Sequence, residues 1–188
     1  MTRRITKIVN ILILAALVVI VLFTNLTESQ CYTDLPSGRV VLDTQNLTGW
    51  DFITEENPPK PIDVDGSHYS FEEYRMYTIM IVGLFVFLIC LQALKISLIS
   101  MIVFNGCFAV AFWAGLQFTQ YPNYYFELCV QKAQGMGIST TIDSNTPIFG
   151  KLLLISMGLV SFNWAVYFKN RKSNRKPNNR LSNELLDS

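Results

Sequence analysis

The sequence predicts an all-α integral membrane protein: a four-transmembrane-helix bundle with short β or irregular elements in its extracellular or lumenal loops. Three observations predict it. Of 188 residues, 51% are apolar and only 15% are charged, where soluble domains carry about 25%. The apolar residues gather into three long runs, 8–24, 78–118 and 147–168. The charges fall in blocks between those runs, basic and acidic blocks apart, as membrane topology imposes.

The helix count follows from length. A crossing needs about 20 residues to span roughly 30 Å of hydrocarbon. The run 78–118, at about 1.5 Å per residue, would be roughly 60 Å long, twice one crossing. It also carries Lys95 near its middle, and a central Lys costs about 2.5–3.5 kcal/mol to insert. Two spans joined around "QALKIS" remove both problems.

The chain then divides into a cytoplasmic N-terminus (1–5), a first span (6–24), an outer loop (25–75) and a second span (76–94). A turn (95–96), a third span (97–118), a second outer loop (119–147), a fourth span (148–168) and a basic tail (169–188) follow. The charges test this division independently. Arg3, Arg4, Lys7 and Lys95 fall on the cytoplasmic side, with Lys169, Arg171, Lys172, Arg175, Lys176 and Arg180 of the tail. The first outer loop holds ten acidic residues against Arg39, Lys60 and Arg75. Both termini are therefore expected in the cytoplasm, with the protein multi-pass in the plasma membrane or a secretory-pathway endomembrane. "MTRRITK" before an apolar run also has the form of a signal peptide, and cleavage there would leave three spans.

The outer loops carry one cysteine each, Cys31 and Cys129. An oxidising lumen favours their pairing into a clip across the two loops. Cys90 and Cys107 lie inside spans and read as packing residues. "SGRVVLDT" reads as a short strand after a turn, and "ENPPKP" as an extended segment. The sequon "NLT" occurs at Asn25 and Asn46; Asn46, clear of the membrane, is the expected glycan site, and Asn25 abuts the first span. Tyr77, Trp113, Tyr121, Tyr124, Trp164 and Tyr167 sit near span ends and read as interfacial anchors.

Chemistry is sparse. The single histidine, His68, has no cysteine near it, and no metal, nucleophile or phosphate-loop motif occurs. "DVDGS" resembles part of a calcium loop but lacks the rest of the spacing. We expect no enzyme, no cofactor, no metal and no nucleic-acid partner. Polar groups inside the spans are amides and hydroxyls, among them Asn10, Gln92, Asn105, Gln117, Ser156, Ser161 and Asn163. Asn105, near mid-membrane, is expected to bond between helices, with Ala111 and Gly115 allowing close packing. The basic tail suits anionic lipid.

The layout resembles that of small tetraspan membrane proteins. Claudins carry a Trp-Gly-Leu-Trp motif and a cysteine pair in the first loop, where "NLTGWDF" has only Trp50. Tetraspanins carry Cys-Cys-Gly in a large second loop, where this chain has Cys129 alone. In Cys31 after the first span, Cys129 after the third and a fourth span running into a charged tail, the chain is similar to the transmembrane protein 179 family. The expected function is that of an accessory subunit, adhesion element or membrane organiser. The alternative is a small oligomeric channel or transporter with Asn105, Gln117 and Asn163 facing a pore. Its expected surroundings are the bilayer and a membrane-protein partner or a homo-oligomer.

Overall fold

A computed structural model of the chain describes residues 3–35, 38–64, 67–92, 98–134, 140–146 and 148–174. The first helix, α1 (Arg3–Phe23), buries Thr6, Asn10, Leu14, Leu17 and Val21. Those positions recur every three or four residues and so form one stripe. Ile8, Leu12 and Val19 face outward.

α3 (Phe71–Leu91) repeats the pattern with Phe71, Tyr74, Thr78, Ile81, Phe85 and Leu88 buried. That alternating three–four spacing suits helices packed side by side at a shallow angle. Its start lies five residues before the expected 76, because Ser70 caps it and Glu72 and Glu73 occupy the first turn. There their charges complement the helix dipole.

α4 (Leu98–Gln117) carries a third stripe of Met101, Phe104, Phe108, Ala111, Ala114 and Gly115. Beyond it the chain tightens into a 3₁₀ turn, Phe118–Gln120, and continues as α5 (Tyr121–Gln134). Pro122 accounts for the tightening, since it lacks an N–H and its ring crowds the carbonyl of Phe118. The expectation of a loop from residue 119 is thus corrected. The buried positions Phe118, Tyr121, Tyr125, Cys129 and Ala133 extend the α4 stripe at helical spacing. The turn expected at 95–96, with Lys95, lies outside the described residues.

The last helix, α6 (Ile148–Asn174), runs six residues past the expected end at 168 and exposes Lys169, Arg171 and Lys172. These basic groups suit a helix C-terminus. Arg175, Lys176 and Arg180 lie outside the described residues. Among the described residues, three helical segments are long and apolar enough to cross a membrane: Ile5–Phe23, Phe71–Leu91 and Leu98–Ala133.

A sheet covers one end of this bundle. β1 (Asn25–Leu35) and β2 (Gly38–Thr48) form an antiparallel hairpin. Gly38 closes the turn at φ +124°, a conformation that side chains disfavour. β5 (Thr140–Asn145) adds to the other edge of β1, giving the order β2-β1-β5. Both loops therefore contribute to one sheet. Of the short strand expected at "SGRVVLDT", residues 38–44 belong to this longer β2 and Ser37 lies outside the described residues. A second, two-stranded piece pairs β3 (Ile62–Val64) with β4 (Ser67–Tyr69).

Between β2 and β3 lies α2 (Gly49–Thr54), started by a reciprocal cap in which Asp51 N–H donates to Thr48 Oγ1 and Thr48 N–H donates to Asp51 Oδ2. α2 lies so close to α1 that a Cβ on Gly49 would stand 2.3 Å from the Val21 carbonyl oxygen. Only glycine fits there.

Candidate functional site

Two polar arrangements and one aromatic cluster give the bundle and its cap their character. The first arrangement lies inside the bundle. Asn10 on α1 donates from Nδ2 to Asn163 Oδ1 on α6 at 2.6 Å and to Gln92 Oε1, just past α3, at 3.2 Å. Asn163 in turn donates to the Leu159 carbonyl at 2.9 Å. All three amides are at least nine-tenths buried. Where water is scarce, such bonds hold helices in register.

Asn105 does not join this set. It lines a groove of about 300 Å³ between α4 and α6 with Ser156 and Ser161, and its buried Oδ1 has no partner among the described residues. Gln117 bonds the Trp113 carbonyl within its own helix. Asn105, Gln117 and Asn163 thus have three different settings within the chain. Ala111 and Gly115 are buried in the α4 stripe, as close packing requires.

At the capped end, Phe52 of α2 is fully buried against Phe71 and Tyr74 of α3 and Phe118 and Tyr121 beyond α4, with ring centroids 5.1–6.2 Å apart. Tyr124 adds to the cluster. Tyr121 and Tyr124 are therefore core residues, a correction to the expectation of interfacial anchors. Their hydroxyls do find partners: Tyr121 donates to Gln45 Oε1 at 2.9 Å, and Tyr124 reaches the carbonyls of Pro59 and Lys60. Arg75 locks the same region from α3, donating to the Phe52 carbonyl at 2.9 Å, to the Glu55 carbonyl and to Glu72. Trp50 stays half-exposed, stacked on Phe23 at the end of α1.

The second polar arrangement ties the sheet to α5. Cys31 and Cys129 form a disulfide across 98 residues of sequence, with Cα atoms 6.3 Å apart. On either side of it α5 holds β2, through Tyr121 to Gln45 and through Lys132 Nζ to Asp43 Oδ2 at 2.5 Å. The face of β1 turned toward α5 carries Thr27, Ser29, Cys31 and Thr33, all buried. Small side chains there let the helix approach the strand. Thr27 Oγ1, Ser29 Oγ and Tyr125 Oη have no partner among the described residues.

Of the two sequons, Asn46 is exposed on β2, whereas Asn25 is half-buried and donates to Glu28 Oε1 at 3.1 Å. His68 stands exposed in the β3–β4 hairpin, 2.7 Å from Asp63. That hydrogen bond, aided by the charges of Asp63 and Glu73, raises the imidazole pKa above its ordinary 6.5. Among the described residues no cluster of His, Cys, Asp or Glu is placed to hold a metal ion.

Long helices with apolar outward faces, roofed by a disulfide-tied sheet, define a helical membrane protein. The open sheet belongs outside the hydrocarbon, where its edges can be hydrated. No protein-family model matches this sequence, and no curated protein or solved structure matches it either.

Proposed function

We propose that the chain is a non-enzymatic four-span membrane protein whose outer cap binds other membrane or extracellular proteins, as an accessory subunit, adhesion element or organiser. α6 is the fourth span: its 27 residues make about 40 Å of helix, ample for one crossing. Four spans put both termini on the side with most basic residues, the cytoplasm. The outline shared with the transmembrane protein 179 family is in keeping with this reading. The cap is then extracellular or lumenal, which suits its disulfide and a glycan on exposed Asn46.

One observation carries the binding role: the cap is braced from beneath yet open at one edge. β2 is an outermost strand, and Val40, Val41 and Leu42 on it are 38–52% exposed. A strand edge with apolar side chains is a template for another chain. Within the membrane, the unpartnered Asn105 in its serine-lined groove offers a partner helix a hydrogen-bonding contact. The tail, beginning at Lys169, Arg171 and Lys172, lies against anionic lipid.

The test is a Val41→Lys substitution in the tagged full-length protein. A charge on the edge strand leaves the disulfide and bundle intact and abolishes capture of the partner. Unchanged capture would overturn the edge as the binding surface.

A further inference from the structure

The disulfide-tied junction of β2 and α5 encloses a cavity of about 320 Å³, within the range of small-molecule sites. One wall is a single face of α5, where Tyr125, Leu128, Cys129 and Lys132 recur at helical spacing. The facing wall is β2, with Asp43 and Gln45 on its inward side opposite Cys31 and Ser29 of β1. Pro59 closes a third side. The two ties already described bracket the space, Asp43–Lys132 on one side and Gln45–Tyr121 on the other.

The hydrogen-bonding inventory of this space is unusual. Tyr125 is 3% exposed, yet its hydroxyl has no partner among the described residues. That hydroxyl has almost no accessible surface, so Tyr125 meets the cavity with its ring and adds to its apolar wall. Gln45 uses its carbonyl oxygen on Tyr121, which turns its amide N–H groups to other acceptors. Lys132 and Asp43 are 65% and 35% exposed, so either charge can turn to an incoming group. The site therefore offers two donors (Gln45 and Lys132) beside one anionic acceptor, with Tyr125, Leu128 and Pro59 as an apolar wall.

We propose that this cavity binds a small zwitterion of the α-amino-acid type. The ligand carboxylate accepts from Lys132 and Gln45, its ammonium donates to Asp43, and its side chain lies against Leu128 and Pro59. An isolated anion would meet Asp43, and an isolated cation would meet Lys132. A molecule with both charges a few ångströms apart satisfies the pair that the protein already sets side by side.

The experiment uses the full-length protein in lipid nanodiscs and measures binding of leucine by saturation-transfer NMR and equilibrium dialysis. N-acetyl-leucine amide and glucose are the controls. Leucine binds saturably below about 1 mM, while the blocked form and the sugar do not. Asp43→Asn and Lys132→Met, each of which removes one charge that meets the ligand, weaken binding about tenfold or more. Non-reducing electrophoresis of each variant verifies the Cys31–Cys129 bridge, so a folding failure is distinguished from lost contacts. No saturation up to about 10 mM, equal binding of blocked leucine, preference for glucose, or full affinity in bridged Lys132→Met would overturn the proposal.

Discussion

Asn10 and Asn163 meet across 2.6 Å although 153 positions separate them in sequence. Their bond joins the first and last helices of the bundle, and Gln92 draws in α3. Asn163→Leu therefore takes from Asn10 the shorter of its two amide contacts, leaving it Gln92 alone, and destabilises the bundle by about 1–2 kcal/mol. Asn105→Leu removes an acceptor that has no partner, so it changes stability by less than about 0.5 kcal/mol. Reversible unfolding in bicelles with increasing SDS measures both. Equal losses for the two variants would refute this assignment of the bundle's polar contacts.

Gly49 is a steric requirement. An added Cβ meets the Val21 carbonyl at 2.3 Å and Thr78 Cγ2 at 3.2 Å, and neither the α1 backbone nor buried Thr78 can retreat freely. Gly49→Ala shifts α2 and loosens Phe52, costing about 2–3 kcal/mol. Thermal unfolding shows this as a lowered midpoint, whereas Gly83→Ala, where nothing lies within 4 Å, shows none.

Loss of the disulfide through Cys31→Ser separates the sheet from α5. The expected cost is about 2–4 kcal/mol. Limited proteolysis of intact membranes then cuts within the cap while the helices stay protected. Cys90→Ser and Cys107→Ser, at thiols outside the bridge, leave the pattern unchanged.

His68 reports on the small hairpin. Because Asp63 raises its pKa above 6.5, the pair contributes fully below about pH 6.5 and fades as pH rises through the higher folded value. The imidazole NMR titration has its midpoint above 6.5, and Asp63→Asn brings it back toward that value. An unshifted midpoint in the parent protein would contradict the contact.

The three apolar helical segments were legible as apolar runs, and the disulfide as the one pairing open to a single cysteine in each loop. α5 was legible in principle. Phe118, Tyr121, Tyr125 and Cys129 keep helical spacing, but Pro122 and the tyrosine-rich composition masked it as a loop. The amide set was partly legible: Asn10, Gln92 and Asn163 all stand out in apolar surroundings. Asn10 lies a few residues inside one end of its run and Asn163 a few inside the corresponding end of its own, a depth match that groups them and leaves Asn105 deeper. The pairing of β5 with β1 was not legible, since Thr140–Asn145 is polar throughout except for Ile142. Its place comes from hydrogen bonding to a strand more than 100 positions away.

The central claim is that the cap binds another protein. Gentle-detergent purification of the intact tagged chain from its own membrane, with mass and co-purifying proteins determined together, tests it most directly. The account predicts a stoichiometric membrane or extracellular partner that is lost in Val41→Lys. A clean homo-oligomer without a partner would contradict it and turn attention to ion and solute flux.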